Sequence, residues 1–270
     1  MNTVDVTDAN IISSLESSSK GNQPKWRIGN KWYKADSMGY EGLSESVISE
    51  LLKKTNVENF VVYEPVKIIN GGAEASGCYA TDFKSENESI ITLEHLFRAY
   101  TGYSFAVHLA TLGNAKDRIR YTVDFIEKHT NLKNAGRYIT LMTELDALFL
   151  NEDRHTNNIA FIRNDNTGDF KYCPFFDFGL SILSDMNDYP INEDVNGLIK
   201  KVRAKPFDTD FNEQVDAAEE LYGVQLETYY SNKDIYDCFD RVRDYYSNEI
   251  IRRAENVIFQ QRRKYQYIIK

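Results

Sequence analysis

Asn151-Glu152-Asp153-Arg154-His155-Thr156-Asn157-Asn158, followed further on by Phe176-Asp177-Phe178-Gly179, is the part of this chain whose reading decides its fold. Asn158 stands five positions after Asp153, and Asp177 twenty-four. Between the two motifs lie Ile159-Ala160-Phe161-Ile162 and Phe170-Lys171-Tyr172, joined by Asp165-Asn166-Thr167-Gly168. Two short apolar runs around a turn-forming tip predict a β-hairpin. Its ends carry Asn158 and Asp177, so the hairpin brings together oxygen-bearing side chains that are distant in sequence. A lone Asp or Asn in a loop is most simply a cap. A carboxylate, an amide, a strand, a turn, a strand and a second carboxylate in this order ask for more than capping.

Phosphoryl transfer asks for this set. It needs a held nucleotide, hard oxygen ligands for magnesium and a base for the acceptor hydroxyl. The spacing is the one at which a kinase fold presents a base and two metal-holding groups to ATP. Asp153 is the candidate base; Asn158 and Asp177 are the candidate metal ligands. A strand lysine paired with a helix glutamate is then expected upstream. Lys34 ends a predicted strand, and Lys31 is the weaker rival. The following helix carries Glu45 and Glu50 on opposite edges of its apolar face, and helix geometry does not choose between them.

Working outward, Trp26-Arg27-Ile28 and Lys31-Trp32-Tyr33-Lys34 predict two strands around Gly29-Asn30. Residues 43–54 predict an amphipathic helix, with Leu43, Val47, Ile48, Leu51 and Leu52 on one face. Strands are expected at Phe60 to Tyr63, Val66 to Ile69 and Cys78 to Ala80, with Gly71-Gly72 as a loop. Helical periodicity takes over from Leu93, through 93–112, 117–128 and 136–150, and a last long helix is expected over 234–265. The shift follows the polar stretch Lys84 to Ser89. It predicts a strand-rich lobe over 1–85 and a helical lobe over 86–270, together one domain. Residues 1–17, with Ile11, Ile12 and Leu15, predict a short helix or a loosely held arm.

Composition narrows the classes. The 270 residues are 42% hydrophobic and 27% charged, with 18 Tyr and 15 Phe, which excludes disorder throughout. A net charge of −9 argues against general nucleic-acid binding, which Lys and Arg drive by releasing counterions. Arg262-Arg263-Lys264 reads as a solvated helix face. Cys78, Cys173 and Cys238 are isolated, forming neither a zinc pattern nor a disulfide framework, which fits a reducing cytoplasm. The first 20 residues carry no secretory pattern, and no run of about 18 apolar residues predicts a membrane span.

Asp153-Arg154-His155-Thr156-Asn157-Asn158 resembles the D-R-H-x-x-N loop of phosphoinositide kinases and HipA-like bacterial kinases. Ser18-Ser19-Lys20-Gly21-Asn22-Gln23-Pro24-Lys25 is similar to the S-x-x-G-x-Q-x-K phosphate loop of the HipA group. Lys34-Ala35-Asp36 through Tyr40-Glu41-Gly42-Leu43-Ser44-Glu45 resembles the small CtkA-like relatives, in which a lysine strand leads into the glutamate helix.

The resemblance covers most of residues 18–185. It implies an α+β, two-lobed protein-kinase-like fold and Ser/Thr phosphorylation with ATP and Mg2+. It implies that Lys34 holds the α- and β-phosphates and that Glu45, rather than Glu50, orients it. Asp153 would be the base, with His155 supporting the loop. Asn158 and Asp177 would hold the metal. Ser18, Ser19, Gly21, Gln23 and Lys25 would contact the phosphates, with Ser18 the site of autophosphorylation. A protein substrate, a toxin or effector role and an antitoxin or regulator as partner follow from the same likeness. About 17 residues precede the loop, where full-length HipA toxins carry an N-terminal subdomain, which argues against antitoxin docking of the HipA kind; no A-P-E element follows Asp177, so a eukaryotic activation segment is not supported. Two other readings are a lipid or small-molecule kinase, from the shared loop, and a nucleotide-binding pseudokinase.

Overall fold

The computed structural model describes residues 1–9 and 23–270. In chain order its elements begin with β1 (Thr3–Asp5), β2 (Lys25–Ile28), β3 (Lys31–Ala35), α1 (Glu41–Leu52), β4 (Glu64–Asn70) and β5 (Ala73–Thr81). Next come β6 (Glu88–Thr92), α2 (Leu93–Thr101), α3 (Phe105–Thr111), α4 (Ala115–Thr130), α5 (Ala135–Phe149), β7 (Ala160–Asn164) and β8 (Phe170–Tyr172). The chain ends with α6 (Val195–Ile199), α7 (Phe211–Tyr222), α8 (Asn232–Asp240) and α9 (Asn248–Lys264). The first of two compact units takes Met1–Asp82, Asp177–Val202 and Glu227–Lys270; the second takes Phe83–Phe176 and Arg203–Leu226.

In the first unit the described strands form one sheet in the order β1-β4-β5-β3-β2. Only the β1–β4 pairing is parallel among them. Gly71 and Gly72 join β4 to β5 with φ of 58° and 85°. Two successive positive φ values are what a two-residue hairpin turn of the primed type requires, and glycine adopts them without steric cost. Strand alternation sends Tyr33 and Ala35 into a cluster with Val6, Trp26, Val66 and Ile68. Lys34 then points to the opposite face, toward α1. That helix lies so close to β5 that a Cβ on Gly42 would stand 2.5 Å from the Gly77 carbonyl carbon.

In the second unit β6, β7 and β8 form an antiparallel sheet, with Ile91 opposite Phe161 and Phe161 opposite Tyr172. Helix α5 is buried almost all round, which its apolar content on every face explains. It packs against both α4 and α7, and Gly136 lets the Tyr222 ring of α7 approach to a distance no Cβ would allow.

Several expectations need correction. Residues 61–63 are not a strand: the Tyr63 N–H is taken by the Ser49 hydroxyl of α1 at 3.0 Å. The expected helix over 93–112 breaks at Gly102, whose φ of 79° ends α2, before Ser104 caps α3. The long helix over 234–265 is two helices. Between them Tyr246 donates to Asp36 Oδ2 at 2.8 Å, and the Tyr245 carbonyl accepts from Ser76 Oγ at 2.8 Å, so the chain leaves helical geometry to reach the sheet. The polar stretch before Leu93 contains a strand, β6, and Thr3 to Asp5 form β1. Ile11, Ile12 and Leu15 lie outside the described residues. The three cysteines are free, and no described helix is long and apolar enough to cross a membrane.

Candidate active site

The first unit holds a buried cation between two carboxylates. Lys34 Nζ donates to Glu45 Oε1 at 2.6 Å and to Asp177 Oδ1 at 2.9 Å. The Lys34 side chain is 11% exposed and that of Glu45 fully buried. Burial pulls the Lys34 pKa down, but Asp177 and Glu45 outweigh it and hold the ammonium well above its ordinary range. Burial pushes the Glu45 carboxyl up, opposed by Lys34 and by the Phe178 N–H, which donates to Glu45 Oε2 at 2.9 Å. Ser44 Oγ donates to the Phe178 carbonyl at 2.7 Å. One turn of α1 thus fixes both the strand lysine and the Asp177-Phe178 backbone. Asp177 has φ of 64°, a left-handed conformation that non-glycine residues adopt at a cost.

The rivals sit elsewhere. Glu50 pairs with Lys53 and, at 3.2 Å, with Arg241. Lys31 lies over the Tyr79 ring, 4.4 Å from its centre.

The second unit holds the loop from Asn151 to Asn158. The Asp153 side chain is 8% exposed, with Lys205 Nζ 3.3 Å from Oδ1 and His155 Nε2 3.7 Å from Oδ2. Asn158 Nδ2 donates to the Asp153 carbonyl at 2.8 Å, and the Asp153 N–H donates to Asn151 Oδ1 at 3.2 Å. Arg154 anchors the loop from beneath. Its Nη1 donates to the carbonyls of Asn158 (3.1 Å) and Phe176 (3.0 Å), the two ends of the hairpin segment. Its Nε and Nη2 grip Asp146 of α5, which also accepts from Asn151 Nδ2 at 2.8 Å. Thr156 Oγ1 donates to Glu94 Oε2 at 2.9 Å.

Asp146, Glu94 and Lys205 were not singled out from the sequence. Asp146 had a signal: it stands directly before Ala147-Leu148-Phe149-Leu150 in a predicted helix, and a carboxylate buried there demands a partner.

Magnesium takes hard oxygen ligands, usually one or two carboxylates completed by phosphates and water. Among the described residues no group of three or more His, Cys, Asp or Glu side chains is arranged to hold a metal by itself. Each unit supplies one oxygen donor of that kind. Asp177 offers a carboxylate. Asn158 has its amide nitrogen engaged, which leaves its oxygen as the atom to offer a cation.

Of the expected phosphate loop, Ser18, Ser19 and Gly21 lie outside the described residues. Gln23 precedes β2, and Lys25 begins β2 directly opposite Lys34. The Pro24 carbonyl accepts from the Ala35 N–H at 3.1 Å, so the exit of the loop is tied to the lysine strand.

No family model matches the chain, and no curated protein matches it in sequence. Among solved structures, the proinflammatory kinase CtkA of Helicobacter pylori superposes with a TM-score of 0.65 at 17% identity, over 97% of this chain and 94% of that one. HipA, from the toxin–antitoxin complex of HipA, HipB and operator DNA of Shewanella oneidensis MR-1, superposes with a TM-score of 0.52 at 11% identity, over 97% and 67%. At these identities the likeness is one of fold, and the fold is the α+β, two-lobed one of the HipA/CtkA-like kinases.

Proposed function

We propose that this chain is an ATP- and magnesium-dependent Ser/Thr protein kinase of the HipA/CtkA-like group. The observation that carries the reading is the Lys34 ammonium, buried and held between Glu45 and Asp177. Burying a lysine is costly, and two carboxylates around it leave a net negative cluster. Such an arrangement makes sense as a fixed cation for phosphate oxygens with a carboxylate beside it for a metal.

In this reading Lys34 binds the α- and β-phosphates and Glu45 orients it. Asp177 and Asn158 hold magnesium, which when bound offsets the phosphate charge. Asp153 accepts the proton of the acceptor hydroxyl, and His155 supports the loop. Ser18, Ser19, Gly21, Gln23 and Lys25 form the phosphate loop. Phosphate on Ser18 would repel the nucleotide's own phosphates and lower activity. The partner classes are a protein bearing Ser or Thr acceptors and an antitoxin or regulator, by analogy with HipB in the HipA complex. The compartment is the cytoplasm.

The test is incubation with labelled ATP and magnesium, with and without an added protein acceptor. Label should appear on Ser or Thr, and Asp153→Ala should reduce its rate by roughly 10²–10⁴-fold, the usual loss for a general base. Wild-type labelling no faster than that of Asp153→Ala would remove the reading.

A further inference from the structure

We infer that Lys205 is a positioning residue for the transfer step, acting through Asp153; the inference rests on the kinase reading above. Lys205 is 52 residues from Asp153 in sequence and belongs to no motif, yet its Nζ lies 3.3 Å from Asp153 Oδ1.

The backbone that carries Lys205 is pinned on both sides. The Ala204 N–H donates to the Thr209 carbonyl at 3.0 Å. Phe207 is fully buried, and its N–H and that of Asp208 both donate to Oε1 of the buried Gln214, at 2.7 and 3.1 Å. The Phe207 carbonyl accepts from Arg118 Nη1 at 2.8 Å. A lysine on a mobile surface loop would lose most of its pairing energy to side-chain and backbone entropy. Here the backbone share of that cost is already met by the fold.

The partner is also unusual for a surface ion pair. The Asp153 carboxylate is nearly out of water, and its two oxygens face different groups, Lys205 at Oδ1 and His155 at Oδ2. A base works only when one oxygen is presented within hydrogen-bond reach of the acceptor hydroxyl. A carboxylate free to rotate spreads its oxygens over many orientations. A fixed ammonium on Oδ1 restricts that rotation. In the transfer the acceptor O–H bond breaks and its proton goes to the Asp153 carboxylate. A new O–P bond forms to the γ-phosphorus, and the bond to the bridging oxygen breaks with its electron pair left on ADP. Lys205 neither gains nor loses a proton; it sets the angle at which Asp153 receives one.

The experiment compares wild type, Lys205→Ala, Asp153→Ala and the double variant, assayed for phosphoryl transfer with magnesium-ATP and a protein acceptor. Thermal midpoints are read on each. Lys205→Met, which keeps the aliphatic stem, is read beside Lys205→Ala in case the smaller side chain disturbs folding, and Lys205→Arg tests rescue. Lys205→Ala and Lys205→Met should lower kcat by roughly 10- to 100-fold, the scale of a misplaced catalytic group, with KM for ATP unchanged. Lys205→Arg should restore most of kcat. In the Asp153→Ala background, losing Lys205 should cost nothing further, because the two act as one unit. A wild-type kcat in Lys205→Met, or a loss that persists undiminished without Asp153, overturns the inference while leaving the kinase reading intact. A wild type no faster than Asp153→Ala overturns both.

Discussion

Arg154 and Asp146 form an ion pair in which both side chains are 1% exposed, with Arg154 Nε 3.0 Å from Asp146 Oδ2. Burial pushes the Asp146 carboxyl up, and Arg154 and Asn151 pull it back. Taking both charges out of water is costly, so the pair is weak evidence for net stabilisation. Removing one partner is another matter, because the other remains buried and uncompensated. Arg154→Ala or Asp146→Ala should therefore lower stability by about 3–5 kcal/mol, read from urea denaturation midpoints at constant slope. The double replacement Asp146→Leu with Arg154→Met should recover part of that loss. It should still impair transfer, since no guanidinium would join the Asn158 and Phe176 carbonyls. Single variants within about 1 kcal/mol of wild type would show the pair to be unimportant.

Lys34→Met should reduce phosphoryl transfer by roughly 10²–10³-fold, the loss seen when one preorganised electrostatic donor is removed. It should also reduce the thermal stabilisation by magnesium-ATP. Because the folded-state pKa of Lys34 is raised by its carboxylate partners, its contribution to stability is complete at neutral pH. That contribution disappears only as pH climbs past about 10.4, where the unfolded lysine begins to deprotonate. Denaturation curves taken from pH 8 upward should show an alkaline loss in wild type that is smaller in Lys34→Met. Equal losses in both would place the alkaline transition elsewhere.

Gly77 of β5 pairs with Ala35 at the end of the lysine strand. A Cβ there would stand 2.1 Å from the Lys34 carbonyl oxygen and 3.0 Å from Ala35 Cα. Neither atom is the free end of a side chain, so the backbone itself must move. Gly77→Ala should cost about 1–3 kcal/mol or more, and it should weaken the response to magnesium-ATP by shifting Lys34. Calorimetry with and without nucleotide reads both effects. A stable variant with an unchanged nucleotide response would mean that the sheet yields without moving Lys34.

Glu144 should contribute a pH dependence in the neutral range. It is 3% exposed and accepts the N–H groups of Gln225 (2.9 Å) and Leu226 (2.8 Å). Burial, with the Glu219 carboxylate adding, raises its pKa to about 8 against those two donors. Between the unfolded value near 4.5 and about 8, the folded protein keeps a proton that the unfolded chain has lost. Stability then falls as pH rises across that window, by up to about 1.4 kcal/mol per pH unit. Glu144→Gln should flatten this slope in urea titrations between pH 5 and 8. A slope unchanged by the substitution would assign it to other groups.

The helices and hairpins that could be read in the sequence were those with local causes. Trp26 to Lys34 and Ile159 to Tyr172 show turn residues between apolar strands, and α1 and α5 show an apolar period or an apolar run. The misreadings also have local causes. Val61, Val62 and Tyr63 favour a strand, but a serine on α1 takes the N–H that a strand would have used. Ile90-Ile91-Thr92 carries a strand signal too short to stand out from its polar neighbours. Ser247, which caps α9, was the local sign of a break, while the bonds of Tyr245 and Tyr246 to groups on β5 and just after β3 have no local sign.

The amino-acid sequence alone determined the order of the chemistry-bearing groups, a strand lysine, a helix glutamate, a loop aspartate, an asparagine and a second aspartate, together with the local elements that carry them. Spacing and turn propensity are properties of neighbours along the chain, so they are written in it. The choice among equals was made only in three dimensions. Glu45 rather than Glu50 meets Lys34 because α1 lies on β5 with one rotation, set by the Gly42–Gly77 contact. Lys205 meets Asp153, 52 residues away, because α7 packs on α4 and α5 and holds the chain that precedes it in place. Such pairings depend on where whole elements come to rest, which no window of sequence contains.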